Sequence, residues 1–263
     1  MGRLGRAAHF LGITSIPVAG VVWRDWSEAT ALAFYWCDTA LIVLFVAIRL
    51  AVHRRLTNKR GHYVEKKWSV NGGPLRTGVT TYNVSFLTTA IGFSVGNLVF
   101  LAVLLGLFGS VVGGGEIDFE VLKRALLIAL AILTLGLALD VPSIGARPFM
   151  WVRLQAEAAL WRVFVVYIAI FIGMFCAILL SMPHAIFSVF VALRLFTDIG
   201  SNFKQYDPER PPAWVRRFVK NRAQFEEEWG AERVTRLQAE AADEEPFDGR
   251  PSTTSKVGSI TTS

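Results

Sequence analysis

Cysteine is almost absent. Two residues, Cys37 and Cys176, in 263 cannot form the disulfide framework of a small secreted fold, and no Cys/His cluster has zinc spacing, so neither a metal nor a cofactor is expected. Charge is scarce where the chain is longest. Charged residues make up 18% of the sequence, and 21 of them follow Asn202, which leaves a very apolar body ahead of a polar tail. That distribution excludes a soluble single domain. The length also leaves no room for a second large globular domain beside a membrane body. Lys and Arg number 27 against 21 acids, a net charge of +6, but no motif accompanies the basic residues, so nucleic acid is not an expected partner.

What is present is apolar sequence in long runs. A bilayer core of ~30 Å needs about 20 apolar residues at 1.5 Å each, because backbone amides must be satisfied within the segment when no water is near. Six segments meet or approach that test: Ala7 to Trp23, Glu28 to Leu50, Val79 to Phe108, Val121 to Asp140, Leu160 to Ser181 and Pro183 to Phe203. The expected fold is therefore an all-α polytopic bundle over residues 1–205. Its first segment is short, contains Pro17, and with Arg3, Arg6 and the small residues Val18-Ala19-Gly20 also has the outline of a cleavable signal peptide.

The Lys/Arg distribution orients the bundle. The connection from Ala51 to Gly78 carries Arg54, Arg55, Lys59, Arg60, Lys66, Lys67 and Arg76 against the single acid Glu65, and so reads as cytoplasmic. Alternation places Arg3, Arg6, Arg147 and Arg153 on the same side and only Arg24, Lys123 and Arg124 on the other, giving N-in and C-in. Trp23, Trp26, Trp68, Trp151 and Trp161 fall near span ends, where amphipathic rings prefer the headgroup region.

Charges within spans are costly, by ~2.5 to 3.5 kcal/mol each on insertion scales, so each is a candidate for structure or function. Asp38 in span two and Arg194 in span six both count to ~15 Å from the outer end, which makes an Asp38 to Arg194 pair the expected clamp. Asp198 lies one turn below Arg194 on the same face, placed either to compete for that Arg or to look toward Arg49 and Arg162 at the inner interface, and Asp140 joins that inner layer. Small residues mark packing faces: Gly92 and Gly96 in span three, and Ala169, Gly173 and Ala177 in span five. The run Gly92-Phe93-Ser94-Val95-Gly96 also mimics a hydrolase nucleophile elbow, but no span holds a His at the depth of Ser94, so no catalytic residue is assigned. Thr80, Thr81, Tyr82 and Asn83 read as a polar entrance to span three.

After span six, Pro208, Pro211 and Pro212 break the chain. Residues 206–245 read as a cytoplasmic amphipathic helix: Trp214, Phe218, Phe225 and Trp229 form one stripe, and Arg216, Arg217, Lys220 and Arg222 suit an anionic membrane surface. Glu226, Glu227 and Glu228 then reverse the sign. Residues 246–263 are expected to be disordered, with too little apolar area to order themselves.

Pro17, Gly20, Trp26-Ser27, Tyr35-Trp36 before the acid Asp38, the Phe86 to Phe108 stretch, and Arg162 through Asp198 with a basic residue four before an acid resemble the prokaryotic integral membrane family DUF 6498 over residues 10 to 205. The resemblance implies that the first span is retained. It supplies no activity. Where relatives carry histidines in the third span this chain has Ala90 and Asn97, so His-based metal chemistry does not carry over. The functional expectation is an accessory or scaffold subunit of the bacterial plasma membrane whose partners are the bilayer and a membrane protein or second copy. The alternatives are a small-solute or ion transporter using Asp38, Arg194 and Asp198, and an intramembrane or lipid-modifying enzyme.

Overall fold

The structure, a computed structural model, describes residues 20–21, 23–68, 76–108, 116–179, 188–189, 191–193, 195 and 222–248. Among them the chain is mostly helical. Helix α1 spans Glu28–Thr57, a 3-10 turn Arg60–His62 follows, strands β1 (Tyr63–Trp68) and β2 (Arg76–Thr81) form a hairpin, and then come α2 (Tyr82–Phe108), α3 (Phe119–Ile144), α4 (Phe149–Leu179) and α5 (Arg222–Glu244). Three of these, α1, α2 over Tyr82–Val103, and α3, are long and apolar enough to cross a membrane. Most of the first and sixth expected spans lies outside the described residues.

Helix α1 is the centre of the bundle. Its Ile42, Val43, Phe45, Val46 and Leu50 meet Phe86 and Ala90 of α2, Leu133 of α3, and Phe149, Val152, Ala156, Ala159 and Val163 of α4 in one core. Nearer the start of α1, Phe34 packs on Leu122, Ala125 and Ala129 of α3. The outer helices turn small residues inward and large ones outward. On α3, Ala125 and Ala129 are buried while Leu127, Ile128, Leu135 and Leu139 are each more than half exposed. In water that arrangement wastes the hydrophobic effect; in lipid it lets backbones approach while bulky side chains meet acyl chains.

The helix ends are fixed by ordinary caps. Ser27 Oγ accepts the Thr30 amide at 3.1 Å, and Asp118 Oδ1 accepts the Glu120 and Val121 amides at 3.0 Å each. The two starts are tied together, since the Asp118 amide donates to Thr30 Oγ1 at 2.9 Å and the Ser27 hydroxyl to the Glu116 carbonyl at 2.7 Å.

Three differences from the sequence reading matter. The all-helical expectation is corrected by the antiparallel hairpin, paired from Tyr63↔Thr81 to Trp68↔Arg76, which takes Val79, Thr80 and Thr81 out of span three; β-branched residues favour the extended form there. Helices α1 and α4 run well beyond their apolar runs, to Thr57 and back to Phe149, because helix propensity does not stop where lipid does. Pro246, Phe247 and Asp248, expected to be disordered, are held in place: Lys59 and Pro246 form an antiparallel bridge and the Phe247 amide donates to the Asn58 carbonyl at 3.1 Å.

Candidate functional site

The buried polar groups form two layers. In the upper one, Asp38 and Thr39 of α1, Asn97 of α2 and Arg162 of α4 are each at most 5% exposed. Asn97 Nδ2 donates to the Val163 carbonyl at 3.1 Å, the Trp36 indole to the Ser94 carbonyl at 3.1 Å, and the Thr39 hydroxyl to the Tyr35 carbonyl at 2.8 Å. The level can be worked out from the other end of the helices, where the His53 and Phe149 rings lie 6.5 Å apart. At 1.5 Å per residue Asp38 stands ~22 Å above His53, and Arg162 ~20 Å above Phe149, so the two are level to within about one turn. Arg162 was expected at the inner interface because its span was counted from Leu160; α4 starts eleven residues earlier, and this lifts it to the level of Asp38. Arg194 and Asp198 lie outside the described residues.

The lower layer begins with Asp140. Its carboxylate pairs with Arg49 at 3.2 Å and with Arg147 at 3.1 Å, and Arg147 also donates to Ser143 Oγ at 2.9 Å and lies 3.9 Å over the Trp151 ring. Asp38 and Arg162 therefore share the upper level, and Asp140 belongs to the lower one.

Beneath Asp140, the end of α1, the 3-10 turn, the start of α4 and the tail converge. Asn58 ends α1 in a left-handed conformation (φ 45°), its side chain accepting from the Tyr63 hydroxyl at 2.7 Å. His53 and His62 are both fully buried, with His53 Nδ1 and His62 Nε2 at 2.7 Å and His53 Nε2 3.0 Å from the Arg147 carbonyl. The Phe149 ring covers His62 edge-on at 4.8 Å, and a Cβ on Gly61 would stand 2.2 Å from that ring, so only glycine fits there. Burial, reinforced by His53, Arg54 and Lys59, pushes the His62 pKa down to about 3.

The tail straps onto this junction. Glu244 pairs with Lys59 through one carboxylate oxygen and accepts the Phe149 amide, in the first turn of α4, with the other. Arg60 donates its amide to the Glu245 carbonyl at 2.7 Å and pairs with the Glu245 side chain at 3.7 Å. Arg153 bridges Asp243 at 3.4 Å and Glu157 at 3.0 Å, while Tyr63 and Phe247 stack at 3.8 Å with planes 13° apart. Burial raises the Asp243 pKa, against the pull of Arg153. Between α5 and the start of α4 lies a groove of about 450 Å³ lined by Pro148, Met150, Trp151, Leu154, Leu237 and Ala241. Among the described residues no group of three or more metal-binding side chains occurs.

The remaining expected residues are placed as follows. Gly92 and Gly96 are exposed on α2, and a Cβ on either would meet nothing within 4 Å. Ala169 is buried on α4. The side-chain surroundings of Gly173, Ala177 and Arg222, and all of Trp214, Arg216, Arg217, Phe218 and Lys220, lie outside the described residues. Sequence reasoning missed His53, His62, Lys59 as a tail partner, and the segment Asp243 to Phe247. The available signal was three acids followed by Pro-Phe, in a chain whose best defined loop is basic.

A model for a family of unknown function, DUF6498, matches residues 6–215. No curated protein and no solved structure matches the chain. The matched stretch contains the receptor for the strap, and the strap itself lies C-terminal to it.

Proposed function

The chain belongs to the DUF6498 family, and we propose that it is a multi-pass protein of the bacterial plasma membrane, six spans with both ends inside, acting as an accessory or scaffold subunit. One observation carries this reading: among the described residues a dense set of specific polar contacts holds a surface element, α5, against the basic loop and the start of α4 through Lys59, Arg60 and Arg153. A fixed, amphipathic helix on the basic side of a membrane body presents a defined surface to another protein, with Val234 exposed on it. The Lys/Arg asymmetry of the loops supports the orientation. The test is gentle purification of the full chain, tagged at its N-terminus, with identification of what accompanies it by mass spectrometry. A specific partner, lost when Glu244 and Asp243 are both neutralised, supports the reading; a solitary monomer under all mild conditions removes it.

A second reading, ion or proton transport, is favoured by the upper layer, where a buried carboxylate and a buried guanidinium stand level on neighbouring helices. Flux through liposomes that is unaffected by Asp38→Asn and Arg162→Gln would exclude it.

A further inference from the structure

The hydrogens of the histidine pair can be assigned from their partners. The Arg147 carbonyl only accepts, and it receives Lys59 Nζ at 3.1 Å and His53 Nε2 at 3.0 Å, so His53 carries its hydrogen on Nε2. In a neutral ring Nδ1 is then bare. The nearby Thr57 hydroxyl, 3.3 Å away, commits its hydrogen to the His53 carbonyl at 2.8 Å, which leaves His62 Nε2 as the donor to His53 Nδ1. Both rings are neutral, and the His53–His62 and His53–Arg147 contacts hold one hydrogen each. A proton added to His53 Nδ1 would set two N–H groups head to head across 2.7 Å.

The surroundings oppose that proton as well. Arg54 and Thr57 of α1, Lys59 of the loop, the Phe149 ring of α4 and Glu244 of α5 face the pair, two cations against one anion. The same groups hold the tail. Lys59 shares the Arg147 carbonyl with His53 and pairs with Glu244; the Phe149 ring covers His62 while its amide donates to Glu244; and Asn58 and Arg60, flanking Lys59, make the backbone bonds to Phe247 and Glu245.

We propose that the His53–His62 pair is a proton-triggered release for the tail: while neutral it holds residues 58–62 in the shape that receives Asp243 to Phe247, and on protonation it lets the strap go. This goes beyond the scaffold reading and stands without it. The sign follows from the undocked chain taking up the proton first. Packed beneath Phe149, His62 titrates near 3, whereas a ring released from the junction has its ordinary 6.5, so below pH 6.5 acid favours an opened junction that cannot receive the tail, by up to about tenfold per pH unit for each ring released. Asp243 has the opposite sign, because its raised value when docked makes acid favour docking.

The experiment is hydrogen exchange of the full chain in nanodiscs from about pH 7.5 to about pH 5, a range that brackets the free histidine, following the Arg60 and Phe247 amides after correction for intrinsic exchange. Protection of both should fall by more than tenfold per unit below pH 6.5 in the native chain, where both rings can take up protons, and by no more than about tenfold in His62→Gln, whose amide still donates to His53 Nδ1 and which leaves His53 alone to titrate. A level native profile, or the native slope retained in His62→Gln, overturns the proposal. Glu244→Gln provides the check that leaves the histidines intact: the slope should persist from a lower starting protection, and its loss would assign the trigger to the carboxylate and overturn the histidine mechanism.

Discussion

Replacing Glu244 by Gln should loosen the strap without unfolding the bundle. The substitution keeps the shape and removes one charge from two contacts. The ion pair with Lys59 is partly exposed, with side chains 18% and 33% accessible, so solvent screening holds its worth to about 0.5 kcal/mol. The carboxylate also sits in the first turn of the 31-residue α4 and accepts the Phe149 amide. Losing the charge there costs about 0.5 kcal/mol against the helix dipole, and about 1 kcal/mol as a charge-assisted hydrogen bond becomes a neutral one. The total, about 2 kcal/mol, is about a 30-fold loss in the docking equilibrium. Exchange of the Arg60 and Phe247 amides measures it directly, because both are bonded only across the junction, to Glu245 and Asn58. Amides in the middle of α1 should be unchanged, as should all amides in a Glu232→Gln control on the exposed side of α5. Protection reduced less than threefold at both amides would refute the reasoning, and an equal loss within α1 would show that Glu244 supports the bundle instead.

Three further outcomes follow from the contacts. Asp140→Asn leaves Arg49 and Arg147 without their shared anion, at about 2 to 3 kcal/mol, and should lower the melting midpoint by about 5 °C in mild detergent; an unchanged midpoint would show that the three-residue cluster is not a clamp. Asp38→Arg and Arg162→Asp should each reduce folded yield, and the double exchange should recover most of it, since both positions are buried at one level; a double variant no better than either single one would separate them. Gly61→Ala forces a Cβ to within 2.2 Å of the Phe149 ring, so docking should weaken by about 1 to 3 kcal/mol, read as faster exchange at Phe247.

Of the six spans read from the sequence, three correspond to helices long and apolar enough to cross a membrane, and these were legible because lipid imposes a length and a composition that show in any sliding count. Helices α1, α2 and α3 coincide with apolar runs read from the sequence. Their ends were not legible, and the reason is physical. Ala51 to Thr57 is polar enough to leave the bilayer yet still helical, with Arg54 and Arg55 favourably placed in the last turn and Asn58 closing it. Asp38 was recognised as a buried charge. The level of Arg162 was lost because α4 begins at Phe149, in a stretch where hydropathy carries no signal, and a helix whose start is misplaced by eleven residues misplaces every side chain on it by ~16 Å.

The strap was illegible for a different reason. Lys59 and Glu244 are 185 residues apart, and the acids of the tail have the composition of a solvated, disordered segment. Their order comes from what they meet: a helix start that needs an acceptor, cations crowded around a neutral histidine pair, and an exposed Asn58 carbonyl free to take a bridge. Each contact alone is worth little at a partly exposed surface. Together they are cooperative, because a single loop of five residues supplies most of them and is itself fixed by His53, Gly61 and Phe149. The basic loop, proposed to orient the chain in the membrane, therefore has a second use, as the receptor for its own tail, and the two uses respond differently to substitution. Exchanging Lys59 for Arg keeps the charge that sets orientation, but it lengthens the arm that reaches both the Arg147 carbonyl and Glu244, so it should weaken docking while leaving the sidedness of the loop unchanged.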